Sequence, residues 1–170
     1  LTPGIDFAGT VVSSEHAEFE SGDTVVLNGF GVGEVHSGGY AQMARVNGDW
    51  LVKLPSEIDT RQAMAIGTAG YTAMLCVMAL EQHNIKPDAG NILVTGASGG
   101  VGSVAVAILN KLGYSVVATT GRMAEKDYLL SLVASMVLKG LEFSPKRGPF
   151  NKYFGLAAME SQAAIRLFMC

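Results

Sequence analysis

Residues 95–102 read Thr-Gly-Ala-Ser-Gly-Gly-Val-Gly, and their surroundings constrain the fold more than anything else in the chain. The short apolar run Asn91-Ile92-Leu93-Val94 precedes them, and the small and aliphatic segment from Ser103 to Leu112 follows. A strand that turns on glycines into a helix aims free backbone N–H groups and the positive end of the helix dipole at one point. That point suits a pyrophosphate. Gly96 permits the turn, Gly99 and Gly100 let backbone approach phosphate, and Gly102 lets helix and strand pack closely. The spacing is Gly-x-x-Gly-x-x-Gly, so the context between strand and helix carries the reading more than the pattern does. The predicted cofactor contacts here are Ser98, Gly99, Gly100 and Val101.

At 170 residues, 49% hydrophobic and 16% charged, the chain has enough apolar material for a sizeable core. A formal charge of −3 gives no basic footprint for nucleic acid. Cys76 and Cys170 lie too far apart for a disulfide framework or a zinc-finger spacing, and Cys76 reads as a buried small hydrophobe. Glycines and Thr72 interrupt the longest apolar span, so no membrane segment is expected. With no signal peptide in view, a cytoplasmic setting is the expectation.

The chain has two textures. Residues 1–55 are glycine-rich with β-like runs at 9–13, 23–27 and 40–46, separated by turn residues. From Asp59 the pattern turns helical: Asp59 or Thr60 caps a helix from Arg61, Gly67 and Gly70 interrupt it, and a second helical run spans Tyr71 to Gln82. Beyond the glycine turn, 114–119 is a second strand, 124–132 a helix and 135–138 a third strand. Alternation at this interval implies a parallel sheet with right-handed crossovers. After Lys139, residues 144–149 read as a loop, and 156–170 show no amphipathic period. A doubly wound sheet needs more strands than can be read here. The chain is therefore expected to be an interior piece of a longer protein, unstable and catalytically silent by itself.

Several phrases together carry a family resemblance: Pro3-Gly4-Ile5-Asp6-Phe7-Ala8-Gly9, Gly38-Gly39-Tyr40-Ala41-Gln42, Gly48-Asp49-Trp50-Leu51-Val52-Lys53-Leu54-Pro55, and Gly67-Thr68-Ala69-Gly70-Tyr71-Thr72-Ala73. With the glycine turn, their order resembles the medium-chain dehydrogenase/reductase superfamily. Within it the chain looks most similar to the acryloyl-CoA reductase branch, often labelled quinone oxidoreductase. The resemblance runs from about residue 3 to 135 and fades after Lys139, and Val133 stands where the family usually carries glycine. It implies an α/β fold class: residues 1–58 as part of a GroES-like β domain, and 59–170 as part of a Rossmann-type parallel sheet that binds NADP. It also implies a homodimer and a small-molecule substrate, with no nucleic-acid or membrane partner.

Zinc-dependent members of the superfamily place a ligand-bearing His-Glu pair after Pro-Gly. Ile5 and Asp6 stand there, and isoleucine cannot ligate a metal. The four closely spaced cysteines of a structural zinc site are absent, and His16, His36 and His83 have no partner spacing. A metal-free reaction is expected. The resemblance implies hydride transfer from NADPH to the β-carbon of acryloyl-CoA and a proton to its α-carbon, giving propionyl-CoA. A quinone acceptor, or a non-catalytic NADPH-binding module, is the alternative. The family's substrate-facing tyrosine and asparagine are expected upstream of Leu1, so the catalytic residues are unassigned. The short-chain dehydrogenase class is set aside because it opens at such a turn and needs Tyr-x-x-x-Lys. Here Tyr114, Tyr128 and Tyr153 are followed four positions on by Ala118, Leu132 and Ala157.

Cofactor choice rests on the end of the second strand. An NAD-specific site places an acidic side chain there, about twenty residues past the turn. This chain reads Ala118-Thr119-Thr120-Gly121-Arg122, with no carboxylate before Glu125. Thr120, Gly121 and Arg122 are therefore predicted to hold the 2′-phosphate of NADPH, through a guanidinium fork and a hydroxyl. Thr72 reads either as lining the nicotinamide side or as a helix-terminal hydroxyl. Asp6 reads as a loop cap more than a functional carboxylate, and Trp50 as packing between domains more than a ligand platform.

Overall fold

The computed structural model describes residues 1–132 and 134–140, together with the strands Tyr153–Ala157 and Arg166–Met169. The readings of Val133, of the 144–149 loop and of most of 156–170 lie outside the described residues. The chain divides into two compact units, Leu1–Thr68 and Ala69–Cys170.

The first unit holds a three-stranded antiparallel sheet in the order β1-β2-β3, with β1 Asp6–Thr10, β2 Thr24–Asn28 and β3 Val52–Lys53. Its core is Phe19, Val25, Leu27 and Val32. Gly38 and Gly39 exist as glycines for a steric reason. A Cβ on Gly38 would run into the carbonyls of Pro3 and Gly4, and one on Gly39 would sit 2.6 Å from Cβ of Phe7. The expected strand over 40–46 does not form. Gly38, Gly39 and Tyr40 donate to the carbonyls of Thr2, Gly4 and Pro3. Beyond them the chain departs from β1, leaving a groove of about 950 Å³ lined by Phe7–Ser14 on one side and Ala41–Gly48 on the other. A strand is defined by its ladder, and among the described residues no strand pairs with this segment.

The helix α1, Thr60–Gln82, begins with a capping box: Asp59 Oδ1 accepts from the Gln62 N–H at 2.7 Å, and Gln62 Oε1 accepts from the Asp59 N–H at 2.9 Å. Gly67 breaks its regularity at φ 52°, ψ −166°, whereas Gly70 is helical and buried. Taken whole, α1 is long and apolar enough to cross a membrane. The regular stretch after the kink is only about 22 Å long, short of a hydrocarbon core of roughly 30 Å. Its Ala73, Cys76, Val77 and Leu80, spaced i, i+3, i+4, i+7, are buried in the core of the second unit.

That unit is a five-stranded sheet in the order β6-β5-β4-β7-β8. Its members are β4 Asn91–Thr95, β5 Ser115–Thr120, β6 Met136–Lys139, β7 Tyr153–Ala157 and β8 Arg166–Met169. The first four are parallel, and β8 runs antiparallel to β7. After Lys139, where the sequence pattern offers only a loop and an aperiodic tail, the chain supplies two strands, β7 and β8. Ile92, Leu93 and Val94 are all buried, as are 116–120, which is the continuous burial of interior parallel strands. The helix α2, Gly100–Lys111, covers one face with Ala105, Val106 and Leu109, and α3, Lys126–Ser131, adds Leu129. Strand order reverses at β4, so the crevice for a ligand opens beyond its carboxyl end.

Candidate cofactor site

The glycine turn lies at that crevice. Gly96 adopts φ 60°, a left-handed conformation that admits glycine at no steric cost. Gly99 N–H closes the turn on the Gly96 carbonyl at 2.9 Å, and Ala97 N–H pins it to the Thr119 carbonyl of β5 at 3.0 Å. Gly102 is buried, and a Cβ there would strike the Gly96 carbonyl oxygen and lie 2.7 Å from Cα of Ala97. Close packing of turn and helix therefore requires Gly102, as the sequence implies. Gly99 is the N-cap of α2 and offers no side-chain cap. The first N–H groups of such a helix lack intrahelical acceptors. Gly100 and Val101 begin it, and a Cβ on Gly100 would make only an ordinary 3.4 Å contact with Ala69.

The strand end and the turn are joined by side chains. Ser98 Oγ and Thr120 Oγ1 are 2.7 Å apart, the Arg122 N–H donates to Thr120 Oγ1 at 3.0 Å, and Arg122 Nη2 donates to the Ser98 carbonyl at 2.8 Å. Thr120 is 2% exposed. Its hydroxyl accepts from the Arg122 backbone, and the chain of bonds is completed when it donates to Ser98 Oγ. With Thr120 as that donor, the Ser98 hydroxyl hydrogen is left to donate elsewhere, beside the exposed Arg122 guanidinium. Thr120 sets the corner. Gly121 has no atom near its Cβ position, so open space lies over it. Thus Ser98, Gly99, Gly100, Val101, Thr120, Gly121 and Arg122 converge at the carboxyl ends of β4 and β5.

A second cluster lies within the first unit. Asp6 and Asn28 are register partners across β1 and β2. Asp6 Oδ1 accepts from Asn28 Nδ2 at 2.8 Å and from the Thr68 hydroxyl at 2.6 Å, while Oδ2 accepts from the Thr68 N–H at 3.0 Å. Thr68 follows the Gly67 kink, so the carboxylate caps a restarted helix from a distant strand. Asn28 and Thr68 were not legible as its partners, since only strand register and the kink bring them together. Trp50 finds its ring contacts inside its own unit, with Phe30 and His36. Thr72 sits half-buried in α1. The sequence-isolated histidines have local partners: His16 Nε2 faces Asp49 at 3.0 Å, and His83 Nδ1 lies 2.8 Å from the Ala79 carbonyl. Among the described residues no three His, Cys, Asp or Glu side chains gather as a metal site.

No family model matches the chain. The acrylyl-CoA reductase AcuI of Ruegeria pomeroyi is 62% identical over 136 residues, which is 80% of this chain and 41% of its own. The yhdH oxidoreductase of Salmonella enterica, solved in complex with NADP, superposes with a TM-score of 0.82 at 59% identity, covering 85% of this chain and 45% of that one. The yhfP protein of Bacillus subtilis, solved with NAD bound, gives 0.78 at 50% identity, covering 81% and 42%. The chain spans less than half the length of these relatives. With a GroES-like sheet fragment, a Rossmann half-sheet and a glycine turn at its switch point, the chain belongs to the medium-chain dehydrogenase/reductase superfamily.

Proposed function

We propose that the whole protein is an NADPH-dependent reductase that adds hydride to an activated carbon–carbon double bond, with acryloyl-CoA reduced to propionyl-CoA. The carrying observation is the convergence of the Arg122 guanidinium and the Ser98 hydroxyl at the end of β5. A 2′-phosphate would meet two donors there, and the first carboxylate after Thr120 is Glu125. The site fits a dinucleotide in other respects too. The start of α2 carries no side-chain cap, and a pyrophosphate there would gain from N–H groups and dipole together. NADPH, when bound, supplies the hydride.

The chain's own residues bind and orient. Gly99, Gly100 and Val101 hold the pyrophosphate through backbone, Ser98 and Arg122 read the 2′-phosphate, and Thr120 fixes the corner between them. Hydride delivered to the β-carbon would push the C=C electron pair onto the thioester oxygen, and a proton from solvent would then add at the α-carbon. The reading is metal-free because of the donor set: Ile5 cannot ligate, and both oxygens of Asp6 are engaged by Thr68 and Asn28. The test follows NADPH absorbance with the whole protein and acryloyl-CoA, with a quinone in parallel. Oxidation with the thioester is expected. Tight NADPH binding without oxidation by any acceptor would overturn the reading in favour of a non-catalytic module.

A further inference from the structure

Of the residues that converge on the cofactor corner, Thr120 alone is buried, at 2% exposure on the last position of β5. A side chain so enclosed has almost no surface to offer a cofactor. Its hydroxyl has to settle its hydrogen bonds inside the protein, because a buried donor left without an acceptor costs stability. A hydroxyl carries one hydrogen and two acceptor lone pairs. Among the described residues, the polar partners of Thr120 Oγ1 are the Arg122 backbone N–H at 3.0 Å and Ser98 Oγ at 2.7 Å. The backbone N–H can only donate. The Thr120 hydrogen therefore goes to Ser98 Oγ.

The consequence falls on Ser98. Its oxygen accepts from Thr120 and also lies 3.3 Å from Arg122 Nη2, a second group that can only donate. Both lone pairs are thus engaged from within the chain, and what the serine has left is its hydrogen. A serine with a free lone pair could accept from a ribose 2′-hydroxyl as readily as it donates to a phosphate. Held as a donor beside a guanidinium, it suits a group whose oxygens only accept. That description fits the 2′-phosphate better than the 2′-hydroxyl, which a selective site meets with an acceptor.

We infer that Thr120 is a positioning residue for cofactor choice: its buried hydroxyl fixes Ser98 as a donor and so raises the preference for the 2′-phosphate without touching it. This rests on the NADPH reading of the site and deepens it, by placing part of the selectivity behind the contact surface. Thr120→Val keeps the β-branched shape and removes the hydroxyl. Ser98 then regains a lone pair, and its hydrogen loses its fixed direction.

The experiment is calorimetric binding of NADPH and of NADH to the whole protein, with melting temperatures alongside. The variants are Thr120→Val, Thr120→Ala, Thr120→Ser, Ser98→Ala and the double variant Ser98→Ala with Thr120→Val. Thr120→Val and Thr120→Ala should bind NADPH about tenfold more weakly, near the lower end of what a hydrogen bond to a charged group contributes. Their NADH affinity should be unchanged or higher. Thr120→Ser restores the hydroxyl and should keep the parent's preference. Ser98→Ala should lose about as much as Thr120→Val, and combining them should cost nothing further, because both act through one hydrogen. Equal weakening of both cofactors, a selectivity loss in Thr120→Ser, or failure of both hydroxyl-free variants to fold would make the threonine structural and overturn the inference. A further loss of NADPH binding in the double variant would overturn it too, by routing the effect through the Arg122 backbone. Folded Thr120→Val and Thr120→Ala proteins with the parent's NADPH affinity would sink the inference and leave the NADPH reading intact. A parent that binds NADH as tightly as NADPH would remove that reading and this inference together.

Discussion

Arg122 and Ser98 are joined twice: the Arg122 Nη2 lies 2.8 Å from the Ser98 carbonyl oxygen and 3.3 Å from its hydroxyl. The contact ties the corner after β5 to the turn after β4, across twenty-four positions of chain. A guanidinium carries five N–H donors, more than these two contacts use. The same group can therefore brace the turn and meet a phosphate.

Arg122→Ala separates those roles. A hydrogen bond to a charged group contributes roughly 1.5–3 kcal/mol, so NADPH binding should weaken about ten- to a hundredfold. NADH binding should hardly change, because Arg122 is exposed and the corner keeps its Ser98–Thr120 bond. Titration of both cofactors against parent and variant decides it. Equal losses would make Arg122 a brace for the turn and not a reader of the phosphate.

Two glycines two positions apart, Gly100 and Gly102, should behave oppositely. Gly100→Val places a branched side chain where only Ala69 is near, so the fold should survive while NADPH affinity collapses. Gly102→Val drives its side chain into the backbone of Gly96 and Ala97, which cannot move without opening the turn. That variant should lose several kcal/mol of stability, in the range of overpacking that strains backbone. Thermal melting combined with calorimetry separates the two. Unchanged NADPH binding by a folded Gly100→Val protein would remove the turn as the phosphate site.

The glycine turn and the elements around it were legible because each carried a local signal. The Asp59 cap, the apolar run of β4 and the small-residue face of α2 depend on residues within one turn or one strand of each other. The strand over 40–46 was misread because alternation says only that a segment could pair, and pairing needs a neighbour. The two tail strands were missed for the converse reason, since β7 is an interior strand whose parallel neighbour β4 lies some sixty residues earlier. Thr120 was legible by position, but its role was not: sequence offered a hydroxyl for phosphate, and burial turns that hydroxyl to Ser98 and the Arg122 backbone.

Acid should unfasten two surface pairs. Lys53 Nζ lies 2.8 Å from Asp23 Oδ2, and that hydrogen bond, with one from the Glu20 backbone, lowers the Asp23 pKa below its usual 3.8. The Asp49 carboxyl is lowered likewise, by His16 first and then Asn47. A carboxylate whose folded pKa is depressed stabilises the fold above its unfolded value. That contribution is lost as pH falls from about 4 through the folded pKa. Both pairs are solvent-screened, so each effect is small. Melting curves from pH 7 down to 3 should show Asp23→Asn less stable than the parent near neutrality and converging with it in acid. Parallel curves at every pH would mean that the Lys53 pair contributes nothing.

Asp6 should rank as a structural clamp. Asp6→Ala leaves the Thr68 N–H, the Thr68 hydroxyl and the Asn28 amide without their acceptor, in a part-buried site. Hydrogen bonds to charged groups and the cost of orphaned donors put this loss on the order of 3 kcal/mol. Asp6→Asn keeps an acceptor for two of the donors but turns an amide N–H₂ toward the Thr68 N–H, so its cost should be smaller yet real. Thr68→Val removes only the hydroxyl bond and should cost about 1 kcal/mol. Chemical denaturation of the whole protein checks the order Ala, Asn, Val from largest to smallest. The decisive comparison is Asp6→Asn under conditions where it is fully folded. If reductase activity then matches the parent, Asp6 acts by holding Thr68 and the restarted helix. If activity vanishes while stability and NADPH affinity stay intact, the carboxylate has a part in the reaction that its hydrogen bonds do not reveal.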